Sequence, residues 1–160
     1  MTHENSRPLC VVVLSVDTGR YALPIADLIE ILPLMALKQV PLTPEWVAGL
    51  MNYRSDPVVV VDISLLMTGK PCRELLTTRI LLASVRRRDG TRKALGLMVE
   101  GVTETMKIMP ENLRSADIRN ENAPYLGLLA LHDGEMLQII HADNVLTEES
   151  RMLLELENKE

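Results

Sequence analysis

A chain of 160 residues with 17 basic and 22 acidic side chains, net charge −5, lacks the basic surface that a phosphate backbone requires. Phe is absent and Trp46 is the only Trp, so base stacking has almost no aromatic platform and nucleic acid is not an expected partner. With 47% hydrophobic residues the chain can bury a real core, yet no window reaches the ~18–20 apolar residues of a membrane span, which argues against direct membrane insertion.

Residues 1–8 read as a flexible polar tail. Leu9–Val16 is apolar on both faces and β-branched, the pattern of a buried strand. Asp17-Thr18-Gly19-Arg20 supplies a turn, and Tyr21–Pro24 returns as a second strand. From Ile25 the pattern is ambiguous. Ile25, Leu28, Ile29 and Leu32 fit one helical face, while Ile29, Glu30 and Ile31 alternate as a strand would; Pro33 ends either element.

Thr43-Pro44-Glu45 predicts a helix start: a hydroxyl cap, proline at the first position and an acid in the first turn. Trp46, Val47 and Leu50 would share its face. Val58–Val61 is a buried strand, Ile63–Met67 a short helical turn closed by Gly69-Lys70-Pro71, and 71–76 a loop. Arg79–Val85 and Lys93–Val99 are strands joined at Asp89-Gly90, a strong hairpin signal, with Arg86–Arg88, Arg92 and Lys93 solvating the tip. Val102–Ile108 reads as a separate, shorter strand. Leu126–Leu131 and Met136–His141 pair across His132-Asp133-Gly134-Glu135. Thr147 is expected to cap a C-terminal helix whose apolar stripe is Val145, Met152, Leu153 and Leu156. Many short strands with close turns, falling into sets before and after Pro71, predict two small packed barrels in a mainly β protein.

Catalytic and metal-binding patterns are missing. The sequence has no nucleophile elbow, phosphate-binding loop or dinucleotide fingerprint. His3, His132 and His141 are scattered, and Cys10 and Cys72 have no ligand spacing around them. No enzyme, cofactor or metal site is expected. Without a signal peptide pattern the expected location is the cytoplasm. A ligand-binding β-barrel sensor is the alternative, but barrels of this size are more often filled by side chains, as the aliphatic runs here favour.

Four stretches, in this order, resemble the CheW-like domain of bacterial chemosensory systems. They are Tyr21-Ala22-Leu23-Pro24-Ile25; Leu28-Ile29-Glu30-Ile31; Pro41–Pro44 leading into Gly49-Leu50-Met51-Asn52-Tyr53-Arg54 and Pro57–Asp62; and Gly96-Leu97-Met98-Val99-Glu100-Gly101-Val102. The resemblance covers about residues 9–157 and implies a single domain of two five-stranded SH3-like β-barrels sharing a core. It further implies a non-catalytic adaptor that links the cytoplasmic tip of a methyl-accepting chemoreceptor to the regulatory domain of a CheA-type histidine kinase. Departures from the family pattern point to an accessory array, not necessarily the one controlling flagella. Carried over by position, Glu30 and Arg54 match the family's motif acid and arginine, and Ile25, Leu28, Gly49 and Val102 match positions that line or support the binding surfaces. Three features depart from the pattern. Ser55 and Asp56 follow the arginine where the family usually has Gly, Thr105 replaces an aliphatic residue, and the first strand lacks a Phe. Serine tolerates positive φ poorly, so a reshaped loop is expected at 54–55.

Overall fold

The computed structural model describes residues 7–115 and 125–146. The expected helix after Thr147 and most of the expected tail lie outside these residues. In chain order the strands are β1 Leu9–Val16, β2 Gly19–Pro24, β3 Leu28–Pro33, β4 Val47–Tyr53, β5 Asp56–Asp62, β6 Arg79–Arg86, β7 Arg92–Ile108, β8 Leu113–Arg114, β9 Leu126–His132 and β10 Glu135–Ile140; helix α1, Ile63–Thr68, follows β5.

Two five-stranded barrels emerge from the pairing. One wall runs β3-β6-β7-β5-β4, and the other runs β7-β1-β2-β10-β9, with the short β8 added to β9. Neither ring closes as a continuous ladder. In the first, a Lys38–Leu50 bridge joins the chain after β3 to β4. In the second, the single 3-10 turn Pro110–Asn112 carries the chain from β7 round to β8. Strand β7 is common to both walls.

The long apolar runs follow from this arrangement. Each inner wall has one face toward its own barrel and one toward the neighbouring barrel, so alternate residues enter different cores. In β1, Val11 and Val13 fill the second barrel, whereas Val12, Leu14 and Val16 enter a cluster shared by both. In β5, Val58 and Val60 fill the first barrel while Val59 and Val61 join the shared cluster. β6 repeats the division, with Ile80 and Leu82 inside and Leu81, Ala83 and Val85 shared. Both barrel interiors are therefore occupied by aliphatic side chains, which removes the support for a ligand chamber within either one.

The structure decides the ambiguity after Ile25. Ile25–Asp27 is one 3-10 turn, and Leu28–Pro33 is a strand bulged between Leu28 and Glu30.

Two expectations are corrected. Thr43-Pro44-Glu45 starts no helix: the Thr43 hydroxyl donates to Val40 O at 2.9 Å, one Val47 N–Pro44 O turn forms, and the chain then extends as β4. Pairing with the buried β5 outweighs a local capping signal, because Val47–Met51 serve both faces of a strand. The second correction merges Lys93–Val99 and Val102–Ile108 into β7. Gly101, at φ 65, sits at a bulge where the β1 register slips between Ser15–Glu100 and Val13–Glu104, and it passes the strand from one barrel to the other without ending it.

Candidate interaction surface

Tyr53 pairs with Asp56 across the β4–β5 hairpin, leaving Arg54 and Ser55 as a two-residue loop. Their φ values, 50 and 72, place both in the left-handed region that such a hairpin requires. Ser55 takes the glycine-like conformation itself, and its N–H donates to Asn52 Oδ1 at 3.0 Å. The hairpin thereby holds the Asn52, Tyr53 and Arg54 side chains at its tip.

Glu30 on β3 meets this tip. The Tyr53 hydroxyl donates to Glu30 Oε2 at 2.6 Å, and Arg54 Nη2 stands 4.0 Å from the same oxygen. The Arg54 guanidinium carbon also lies 5.2 Å from the Tyr53 ring centroid, within cation–π range. Hydrogen bonding to Glu30 pushes the Tyr53 phenol above its ordinary range, so the phenol remains a donor at neutral pH. Arg54 is 78% exposed and uses little of its fork internally. Ile29 and Ile31, the chain neighbours of Glu30 in β3, are both exposed. Beside the hairpin an open groove of about 420 Å³ runs past Lys38, Leu50, Asn52 and Ser55.

The other expected residues divide. Ile25 is exposed, and Leu28 is half-buried against the shared core. Gly49 is buried and makes no surface. At φ 147, a Cβ there would stand 2.6 Å from Lys38 O, so glycine is what lets the chain after β3 cross β4. Val102 packs on the shared core and donates its N–H to Thr77 O at 3.1 Å. Pro24, beside Ile25, pairs with Val11, whereas Val102 lies between the β7 residues that face Val13 and Ser15. That separation is on the order of 10 Å along β1. Glu30 and Arg54 are brought together; Val102 is not brought to them.

A second polar centre escaped the sequence reading. Asp62, 4% exposed, accepts from Leu65 N through Oδ1 and from Cys72 N through Oδ2, both at 3.0 Å. It thereby caps α1 and anchors the segment 69–78, the strap that connects α1 to β6. Glu100, 5% exposed, accepts from Arg73 N at 2.6 Å and from the Arg73 guanidinium at 3.1–3.4 Å. Burial pushes the Glu100 carboxyl up, but the Arg73 side chain, backbone N–H and charge outweigh it and hold the group below its ordinary range. Burial also pushes the Cys72 thiol up to about 12, which makes it a poor nucleophile. A cleft of about 250 Å³ opens beside Glu100. The only sequence sign of this centre was the acid ending each of two apolar runs. Among the described residues no three of His, Cys, Asp and Glu converge as metal ligands, and no helix is long and apolar enough to cross a membrane.

Two filled barrels joined by a common core, with polar side chains arranged on the outside, define a double-barrel β module. The CheW-like domain family model matches residues 10–150, and the chain belongs to that family. Membership places it among the scaffold and adaptor proteins of chemotaxis signal transduction. Its fold is similar to the crystal structure of the scaffolding protein TtCheW from Thermoanaerobacter tengcongensis, with a TM-score of 0.78 and 23% sequence identity over 96% of this chain and 97% of that chain. No curated protein matches it.

Proposed function

We propose that this protein is a non-catalytic cytoplasmic adaptor that couples the tip of a methyl-accepting chemoreceptor to the regulatory domain of a CheA-type histidine kinase. Glu30, Arg54, Ile25 and Leu28 contribute the contact surface; Gly49 supports the hairpin from behind, and Val102 supports the shared core at a distance from it. The observation that carries this reading is the Glu30–Tyr53–Arg54 constellation. A mostly exposed guanidinium is oriented by a ring and a carboxylate on a two-residue hairpin. An arginine held in this way can recognise a partner carboxylate at little further entropic cost. An accessory chemosensory array, not necessarily a flagellar one, fits the departures at Ser55, Asp56 and Thr105.

Calorimetric titration against a kinase regulatory domain and against a receptor-tip fragment tests this reading. Arg54→Glu removes an exposed pair and a cation–π contact, together worth about 1 kcal/mol, so the melting temperature moves by about 2–4 °C. Binding to at least one of the two partners weakens about 30-fold or more, as expected for a central arginine. Unchanged binding to both would place the contact elsewhere, and loss of the fold would make Arg54 a structural residue.

A further inference from the structure

The cleft beside Glu100 is built from both barrels. Asp17 comes from the β1–β2 turn, Glu100 from the bulge of β7, Ser64 and Thr68 from α1, and Lys70 and Arg73 from the strap. Its acids stand on β7 and the β1–β2 turn, whereas its cations stand on the connecting segment. Glu100 is nearly buried, and a carboxylate there must be paired. The group that pairs it is an arginine whose own side chain is 68% exposed. The acceptor is fixed and the donor is the peripheral partner.

The fork is also not at its best. Arg73 Nε lies 3.4 and 3.3 Å from the two carboxylate oxygens and Nη2 3.1 Å from one of them, whereas well-seated charged pairs lie at about 2.7–2.9 Å. The short contact, 2.6 Å, comes from the Arg73 backbone N–H, which does not depend on the side chain. Asp17 lines the same cleft without a hydrogen bond or ion pair among the described residues, although its charge reaches Arg73. Space, a buried planar acceptor and a second free carboxylate thus surround a guanidinium that fits only loosely.

We propose that this cleft is a guanidinium-recognition site, filled in the isolated chain by Arg73 and open to exchange with an arginine presented by a partner protein. The incoming fork takes both Glu100 oxygens and reaches Asp17 with its outer N–H groups, while the Arg73 backbone bond keeps the strap in place. The site lies apart from the Glu30–Arg54 surface and does not depend on the function proposed above.

The test uses the full chain carrying Arg73→Ala, titrated with methylguanidinium chloride against equal concentrations of tetramethylammonium chloride. The variant melts a few degrees below the parent. Methylguanidinium at millimolar concentration restores roughly half of that loss or more and shifts the amide signals of Asp17 and Glu100. Adding Glu100→Gln weakens this rescue about tenfold or more. If Arg73→Ala does not fold, Arg73→Lys, which keeps the charge without the fork, replaces it with the same readouts. An end-blocked Gly-Arg-Gly peptide then separates the two sources of the group. Rescue by the peptide at equal or lower concentration supports a protein-borne arginine, and rescue by methylguanidinium alone refutes one. If neither probe rescues the variant, or the ammonium control rescues it equally well, the site proposal is overturned.

Discussion

Replacing Asp62 separates two tasks that one carboxylate performs. Its Oδ1 caps α1 through Leu65 N and its Oδ2 holds the strap through Cys72 N. In Asp62→Asn the amide oxygen can keep the cap, since Asn and Asp cap equally well. The amide nitrogen then faces Cys72 N at the former 3.0 Å, donor against donor. The loss is the anchored bond to a charged acceptor, about 1.5–3 kcal/mol. Asp62→Ala removes the cap as well, adding about 1 kcal/mol. Urea unfolding at neutral pH should therefore rank the three proteins parent, Asn, Ala with unchanged slope, and the second step should be the smaller. Amide exchange gives the finer reading. Cys72 loses protection in both variants, whereas Leu65 loses it only in the alanine variant. Equal destabilisation by Asn and Ala, or a Cys72 amide still protected in Asp62→Asn, would refute the view that this carboxylate ties the strap down.

Ser55→Gly relieves a left-handed serine, about 1–2 kcal/mol, against about 0.4–1 kcal/mol of added unfolded-state freedom, so thermal or chemical denaturation should show a gain of about 0.5–1 kcal/mol. Gly49→Ala should lose about 2–4 kcal/mol, because the new methyl would meet Lys38 O at 2.6 Å at a positive φ; a neutral result in the same assay would mean the crossing is loose. The Glu100 carboxyl is held below its usual 4.5, so its contribution is complete above that pH and disappears as pH falls through the depressed value. Acid unfolding followed alongside Glu100→Gln should show the stability gap between the two proteins closing only below about pH 4.5.

The strands were legible because doubly buried walls leave unbroken aliphatic runs, as in Val11–Leu14 and Val58–Val61. The fate of Thr43–Leu50 was not legible. Its capping residues are a sound local signal, and only a partner strand further along the chain overrides it. Gly101 read as a break between strands because a bulge and a turn use the same residue. Glu30 and Arg54, both taken from the family motif, do come together, but the closest contact to Glu30 belongs to Tyr53, whose hydroxyl role no spacing announced. Arg73 and Glu100 are 27 positions apart and lie on no common periodic element, so their pairing exists only in three dimensions. Val102 shows the limit of transferring positions from a family motif, since it supports the shared interior at a distance from the hairpin.

Strand β7 has a mechanical consequence. Seventeen consecutive residues serve first one barrel and then the other, with no linker between them. Twisting either barrel alone would strain a backbone that the other one holds, and prising the pair apart would expose the valines and leucines packed across the seam. The molecule should therefore respond to load as one stiff bracket, passing a tilt imposed at one end to the other with little slack. For the same reason neither half can be cut out and expected to fold, because each would take the spine of its neighbour with it.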